Sequence, residues 1–209
     1  MTKIKICGIT NDEDARQAVE CGADALGFNF YKGSPRFITT DKAASIIIHL
    51  PPTVACIGVF VNEEIEQMER TAAYAGLTML QLHGDESPDL VAKCVAHTGL
   101  PLIKALRIGP TFVPRDAANY SVDSILLDAY CAGNAGGTGM LCDWRAAAEV
   151  RSVVPKLYLA GGLNGDNVAE AIRSVRPFAV DACSLLETRP GKKDHGKVAA
   201  FIAAAKATI

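Results

Sequence analysis

No two of the seven cysteines in this 209-residue chain are spaced as C-x-x-C. That excludes a zinc knuckle and a thioredoxin-like redox pair, and most of the thiols are read as small core hydrophobes kept reduced. No block of like charge occurs either. The 21 basic and 23 acidic residues are interspersed, for a net charge of −2. Such a surface is unsuited to nucleic acid or an anionic membrane. The nearly uncharged segment 43–61 has the length of a membrane span, but Pro51-Pro52 interrupts it and it reads as helix, turn and strand. No apolar signal region follows Lys3 and Lys5. The expectation is a soluble, cytoplasmic protein. Linkers, low-complexity tracts and a second core are also missing, so residues 1–209, at 49% hydrophobic, are expected to form one domain. Finally, no G-x-G-x-x-G follows the first strand, where Gly8-Ile9-Thr10-Asn11 stands instead. This counts against a doubly wound nucleotide fold.

What the chain does have is a regular alternation. Apolar, β-branched runs read as strands at 3–9, 24–30, 53–60, 79–84, 101–108, 124–130, 156–163 and 178–186. Helical spacing fills the intervals. Asn11 caps one helix and Gly22 stops it, Ser87-Pro88 opens another, Asn164 caps a third, and an alanine-rich helix runs from about 194 to 207. The interval 111–119 contains Pro114 and predicts only a turn or two. Eight strand–helix units with nearly continuous apolar strands predict a parallel sheet covered on both faces. The fold class is therefore α/β, a (β/α)8 barrel trimmed below its usual ~250 residues.

In such a barrel the site lies where strands end. The residues there are Cys7, Asn29 with the Ser34-Pro35-Arg36 loop, Asn62, His83 with Asp85, Arg107, Asp128, Gly161-Gly162 and Ser184. Polar and reactive groups collect at this rim, while the strand starts are plain. Cys7 acts as a base once nearby positive charge or backbone dipoles lower its pKa from ~8.5. Asp128 acts as an acid once burial holds its proton. Strands one and six are expected to face each other across the barrel mouth, with a small substrate between them. Gly161, Gly162 and Ser184 end strands seven and eight, the two loops with which barrels often bind phosphate. No lysine stands in either loop before Lys192. The stretch 135–139 (AGGTG) has the composition of a mobile loop or a second anion cradle.

Taken together, KICGIT, GFNFYKGSPRFI (27–38), QLHGDE (81–86), LLDAY (126–130), GGTG followed by DW (136–144), LAGGLN (159–164) and VDACSLLE followed by PGKKD stand in an order that resembles the phosphoribosylanthranilate isomerase family of tryptophan biosynthesis. The resemblance runs from end to end. It implies a cofactor-free, metal-free Amadori rearrangement of N-(5-phosphoribosyl)anthranilate, a phosphorylated small-molecule substrate as partner, and a monomer or homodimer. It implies Asp128 as general acid, Cys7 as general base and Arg36 at the anthranilate carboxylate. His83 is expected to line the site, and Gly161, Gly162 and Ser184 to hold the phosphate. Two departures stand out: Met140 follows GGTG where the family commonly has lysine, and Leu185 follows Ser184 where it often has glycine. A related isomerase of histidine biosynthesis would carry an aspartate where Cys7 stands. A phosphosugar-binding barrel without activity would not need both Cys7 and Asp128.

Overall fold

The computed structural model describes residues 2–109, 111–129 and 143–208. The AGGTG stretch and Met140 lie outside these. Strands β1 (Lys3–Cys7), β2 (Ala25–Asn29), β3 (Ala55–Phe60), β4 (Met79–Leu82), β5 (Leu102–Ile108), β6 (Ser124–Ala129), β7 (Lys156–Leu159) and β8 (Ala179–Ala182) pair in sequence order, all parallel, and β8 closes on β1. Helices α1 (Asp12–Cys21), α2 (Thr40–Ile47), α3 (Ile65–Ala75), α4 (Pro88–Thr98), α5 (Trp144–Arg151), α6 (Val168–Val175) and α7 (His195–Lys206) form the other layer. The interval after β5 holds only a 3₁₀ turn, Pro114–Asn119. No helix among the described residues is long and apolar enough to cross a membrane.

Local chemistry explains the joints. The Asn11 side chain accepts the Asp14 N–H at 2.9 Å to start α1, and Gly22 ends it at φ 101°. Ser87 caps α4 ahead of Pro88, whose missing N–H costs nothing at a first turn. The expected cap at Asn164 is displaced. Its Oδ1 accepts the N–H groups of Asp166 and Asn167, closing a turn, and α6 begins only after Asn167. The long eighth run is also divided. After β8 comes a short 3₁₀ turn (Ser184–Leu186) and then an antiparallel hairpin of β9 (Glu187–Arg189) and β10 (Lys192–Lys193). Apolar composition continued through the run, but the backbone turned at Cys183.

Period two along each strand separates two cores. Ile4, Ile6, Leu26, Phe28, Leu80, Leu82, Ile125, Leu127 and Val180 pack outward against the helices. Ala25, Ile57, Ile103, Leu126, Tyr158 and Ala179 fill the barrel interior. The interior face of β1 carries Lys5 and Cys7, and that of β8 carries Asp181, with Cys183 just past its end. These polar positions form the upper end of the barrel.

Candidate active site

One cavity of about 310 Å³ opens at the carboxyl ends of the strands, and Cys7, Arg36, His83, Asp128, Gly161, Gly162 and Ser184 all line it. That size suits a small-molecule site. Asp128 lies three strands from β1 around the ring, by way of β8 and β7. The two groups therefore stand across an arc of the rim and not across its diameter.

Cys7 ends β1, and Gly8 turns the chain immediately after it at φ 77°. A Cβ on Gly8 would come within 2.8 Å of Arg36 Cδ and 2.9 Å of Cys183 Sγ, so the turn has no room for a side chain. The Cys7 thiol is held well below its ordinary pKa. A hydrogen bond from Cys183 contributes most, burial opposes it, and the Lys5 and Lys193 ammonium groups add to it. Lys5 is fully buried beneath Cys7 and donates to Asp181 at 3.0 Å. Burial alone would depress its pKa, but Asp181 and Cys7 outweigh burial and push it up. Asp181 is itself pushed up to about 6, by burial first, with Lys5 pulling the other way and Cys7 and Asp128 adding to the rise. This buried lysine and its carboxylate escaped the motif reading. The signal was present in K-I-K-I-C, because period two puts Lys5 on the same face as Cys7.

Asp128 is buried at the end of β6, with His83 Nε2 3.6 Å from its Oδ2. Gln81 Nε2 lies 2.8 Å from His83 Nδ1. With the Gln81 amide donating there, the imidazole proton sits on Nε2 and points toward Asp128. His83 Nε2 is a buried atom without a hydrogen-bond partner among the described residues.

Arg36 is brought to the rim by a clamped loop. Ser34 Oγ accepts from Asn29 Nδ2 at 3.2 Å and from the Arg36 N–H at 3.1 Å, and Asn29 Oδ1 accepts the Tyr31 N–H. The guanidinium fork is already engaged: Nε and Nη2 donate to the Glu187 carboxylate at 2.8–3.1 Å. Glu187 also accepts from Lys193 Nζ at 3.0 Å. The fork-to-carboxylate match anticipated for a ligand is thus made inside the protein, through the β9–β10 hairpin. Arg36 Nη1 makes no hydrogen bond among the described residues. Glu187 and Lys193 were unanticipated, since their pairing depends on a hairpin beyond the eighth apolar run, where no element was expected.

Gly161 and Gly162 both have left-handed backbone, at φ 86° and 67°. Consecutive residues in that region are accessible to glycine at little cost. The Gly162 carbonyl accepts from Asn167 Nδ2 at 2.8 Å, tying this turn to the start of α6. Among the described residues no group of three or more His, Cys, Asp or Glu is placed to hold a metal ion.

A closed parallel barrel whose rim brings a thiol of lowered pKa, a buried carboxylate and a glycine turn to one cavity has the architecture of a barrel enzyme. The chain belongs to the N-(5'-phosphoribosyl)anthranilate (PRA) isomerase family, whose model matches residues 4–204. A relative of that name from Trichlorobacter lovleyi is 48% identical over 209 residues, covering all of both chains. A crystal structure of phosphoribosyl anthranilate isomerase in complex with reduced 1-(o-carboxyphenylamino)-1-deoxyribulose 5-phosphate superposes with a TM-score of 0.88. It is 43% identical and covers 99% of this chain and 100% of its own. Monomers of the dimeric enzyme from Thermotoga maritima give 0.86 at 42% identity, with the same coverage.

Proposed function

We propose that Cys7 and Asp128 are the base and the acid with which this isomerase of tryptophan biosynthesis converts N-(5-phosphoribosyl)anthranilate into 1-(2-carboxyphenylamino)-1-deoxyribulose 5-phosphate. Asp128 protonates the ribose ring oxygen, and the ring opens to a Schiff base. The Cys7 sulfur then takes the proton from the neighbouring sugar carbon, and the resulting enolamine relaxes to the ketone. Substrate and product have the same composition, so these proton transfers balance the reaction and no cofactor enters it. The observation that carries the reading is the shared cavity, in which a thiol of lowered pKa and a buried carboxylate line one wall each.

The remaining assignments follow from reach. Arg36 offers Nη1 to the anthranilate carboxylate while Glu187 holds the rest of the guanidinium in place. His83 Nε2 is a donor for the sugar. Gly161, Gly162 and Ser184 receive the phosphate with backbone N–H groups and a hydroxyl. Residues 1–209 act as one barrel domain, as a monomer or as a homodimer like the dimeric Thermotoga maritima relative. The free thiols among the described residues suit a reducing, cytoplasmic location.

Cys7→Ala and Asp128→Asn are each expected to lower kcat by about 10²-fold or more, with KM moving less. Loss of the substrate's anthranilate fluorescence measures this directly. Near-wild-type kcat in either variant would strip that residue of its role.

A further inference from the structure

One buried lysine has no part in the proton transfers described above. Lys193, on β10, is 2% exposed, and its ammonium donates to Glu187 Oε1 at 3.0 Å and to the Cys183 carbonyl oxygen at 3.3 Å. Glu187 is buried as well and divides its carboxylate between two cations. Arg36 meets it side-on, with Nε and Nη2 reaching its two oxygens at 2.8–3.1 Å. A guanidinium carries N–H donors on Nε, Nη1 and Nη2, in a rigid plane. The side-on contact takes the Nε donor and one of those on Nη2. The edge between Nη1 and Nη2 is left for a second carboxylate to meet end-on, and Arg36 lines the cavity.

Paired with Glu187 alone, Arg36 would show the cavity no net charge, and two carboxylates on one shielded guanidinium would repel each other. Lys193 changes the sum. Arg36, Glu187 and Lys193 together carry one positive charge, and a substrate carboxylate brings it to zero. We propose that Lys193 is a positioning residue for recognition of the substrate's carboxylate: it balances Glu187, so that Arg36, held side-on, still presents an uncompensated positive edge to the cavity. The proposal rests on the reading of Arg36 as the partner of the anthranilate carboxylate. The surroundings keep the count. Asp14 accepts the Lys193 backbone N–H at 2.8 Å, but its own charge is met by Lys192 at 2.9 Å. Lys197 reaches only the Glu187 carbonyl oxygen, at 3.3 Å. The Cys183 thiol donates to Glu187 Oε1 at 3.9 Å and adds no charge. Cys7, ionised, draws on Lys5 before Lys193.

Because Lys193 also bears on the Cys7 sulfur, the test reads binding and not turnover. Isothermal titration calorimetry compares the chemically reduced product, which cannot react, with its counterpart lacking the ring carboxylate. Lys193→Met is expected to weaken the carboxylate ligand about tenfold and to leave the other nearly unchanged. Adding Glu187→Gln removes a negative charge along with the positive one, so the double variant should recover much of the lost affinity. Should Lys193→Met fail to fold, Lys193→Gln, which keeps a donor to Glu187 without the charge, makes the same comparison. A packing role predicts the opposite pattern, with both ligands weakened alike and the double variant worse than the single. Unchanged affinity for the carboxylate ligand, equal loss for both ligands, or a double variant no better than the single would overturn the proposal. Arg36→Ala tells this from failure of the reading beneath it. If that variant weakened both ligands equally, Arg36 would not be the partner of the carboxylate, whatever Lys193 did.

Discussion

Two of the buried lysines stand on barrel strands, one on each face of the sheet, and each meets a carboxylate. Lys5 points into the lumen and donates to Asp181 at 3.0 Å. Lys104 lies on β5 between the inward-facing Ile103 and Ala105, so period two turns it outward, where it donates to Glu86 at 2.6 Å and to the Gly84 carbonyl at 2.8 Å. The two pairs differ in what else they touch. Glu86 also accepts the N–H groups of Asn62 and Gly84, and so ties the ends of β3 and β4 together. Its pKa is lowered: burial opposes the charge, but Lys104 and the backbone donors prevail. Lys104 is lowered, chiefly by burial, against the pull of Glu86. Asp181 has fewer donors and lines the reaction cavity, and its pKa is raised. A buried ion pair saturated with backbone donors braces loops. One left short of donors stays responsive to protons and lends its cation to the neighbouring thiol.

That contrast can be broken at either lysine. Lys104→Met should produce the largest effect, a loss of about 3–5 kcal/mol in unfolding free energy, because it strands a buried carboxylate. The kcat of the folded protein should stay near wild type. Lys5→Met should reverse the pattern: kcat at neutral pH falls about tenfold or more, one pKa unit on Cys7, while Asp181 limits the stability loss by taking up a proton. Urea unfolding and steady-state kinetics on both variants separate the outcomes. Equal loss of activity in the two would mean that the pairs do not divide in this way.

The pH dependence of stability sharpens it. Asp181 has a folded pKa of about 6, above the ~3.9 of an unfolded aspartate, so the folded state holds its proton more firmly. Its contribution is present in full below about pH 4 and is lost as pH rises through about 6. Glu86 runs the other way. Its folded pKa is lowered, so its contribution is present above the unfolded value of ~4.3 and is lost as pH falls below that. Urea midpoints measured across this range should show Asp181→Asn removing the first slope and Glu86→Gln the second. The smallest effect belongs to Tyr120, whose ring centroid lies 5.9 Å from Lys104 Nζ. Tyr120→Leu should lower stability by about 0.5–1 kcal/mol with kcat unchanged, and a fall in kcat would tie the outer pair to catalysis.

Much of the rim is legible in the sequence. Cys7, Asp128, Arg36, His83, Gly161, Gly162 and Ser184 were named from strand ends, and all seven meet at one cavity. The short turn at 111–119 and the caps at Asn11 and Ser87 were equally plain, because a cap is a matter of three or four neighbouring residues. Structure and sequence pattern part at Asn164 and at 183–186, where the eighth strand stops short and a hairpin follows. In both places apolar or capping character continued while the backbone bent for reasons supplied from elsewhere: the carbonyl of Gly162 for Asn167, and Arg36 for Glu187.

By itself, the sequence determined the eight strand–helix units, their parallel order and which residues stand at the strand ends. All of these follow from periodicity within a dozen residues and from the requirement that each apolar stripe be buried. Tertiary structure alone decided that Lys5 meets Asp181, 176 residues away, that Arg36 is held by Glu187, 151 residues away, and that Cys183 stands against Cys7. Each of those contacts is made by closure of β8 onto β1 or by the hairpin that follows it. Closure is a hydrogen-bonding event between the two ends of the chain, and no local pattern of apolar and polar residues encodes which side chains it will bring together.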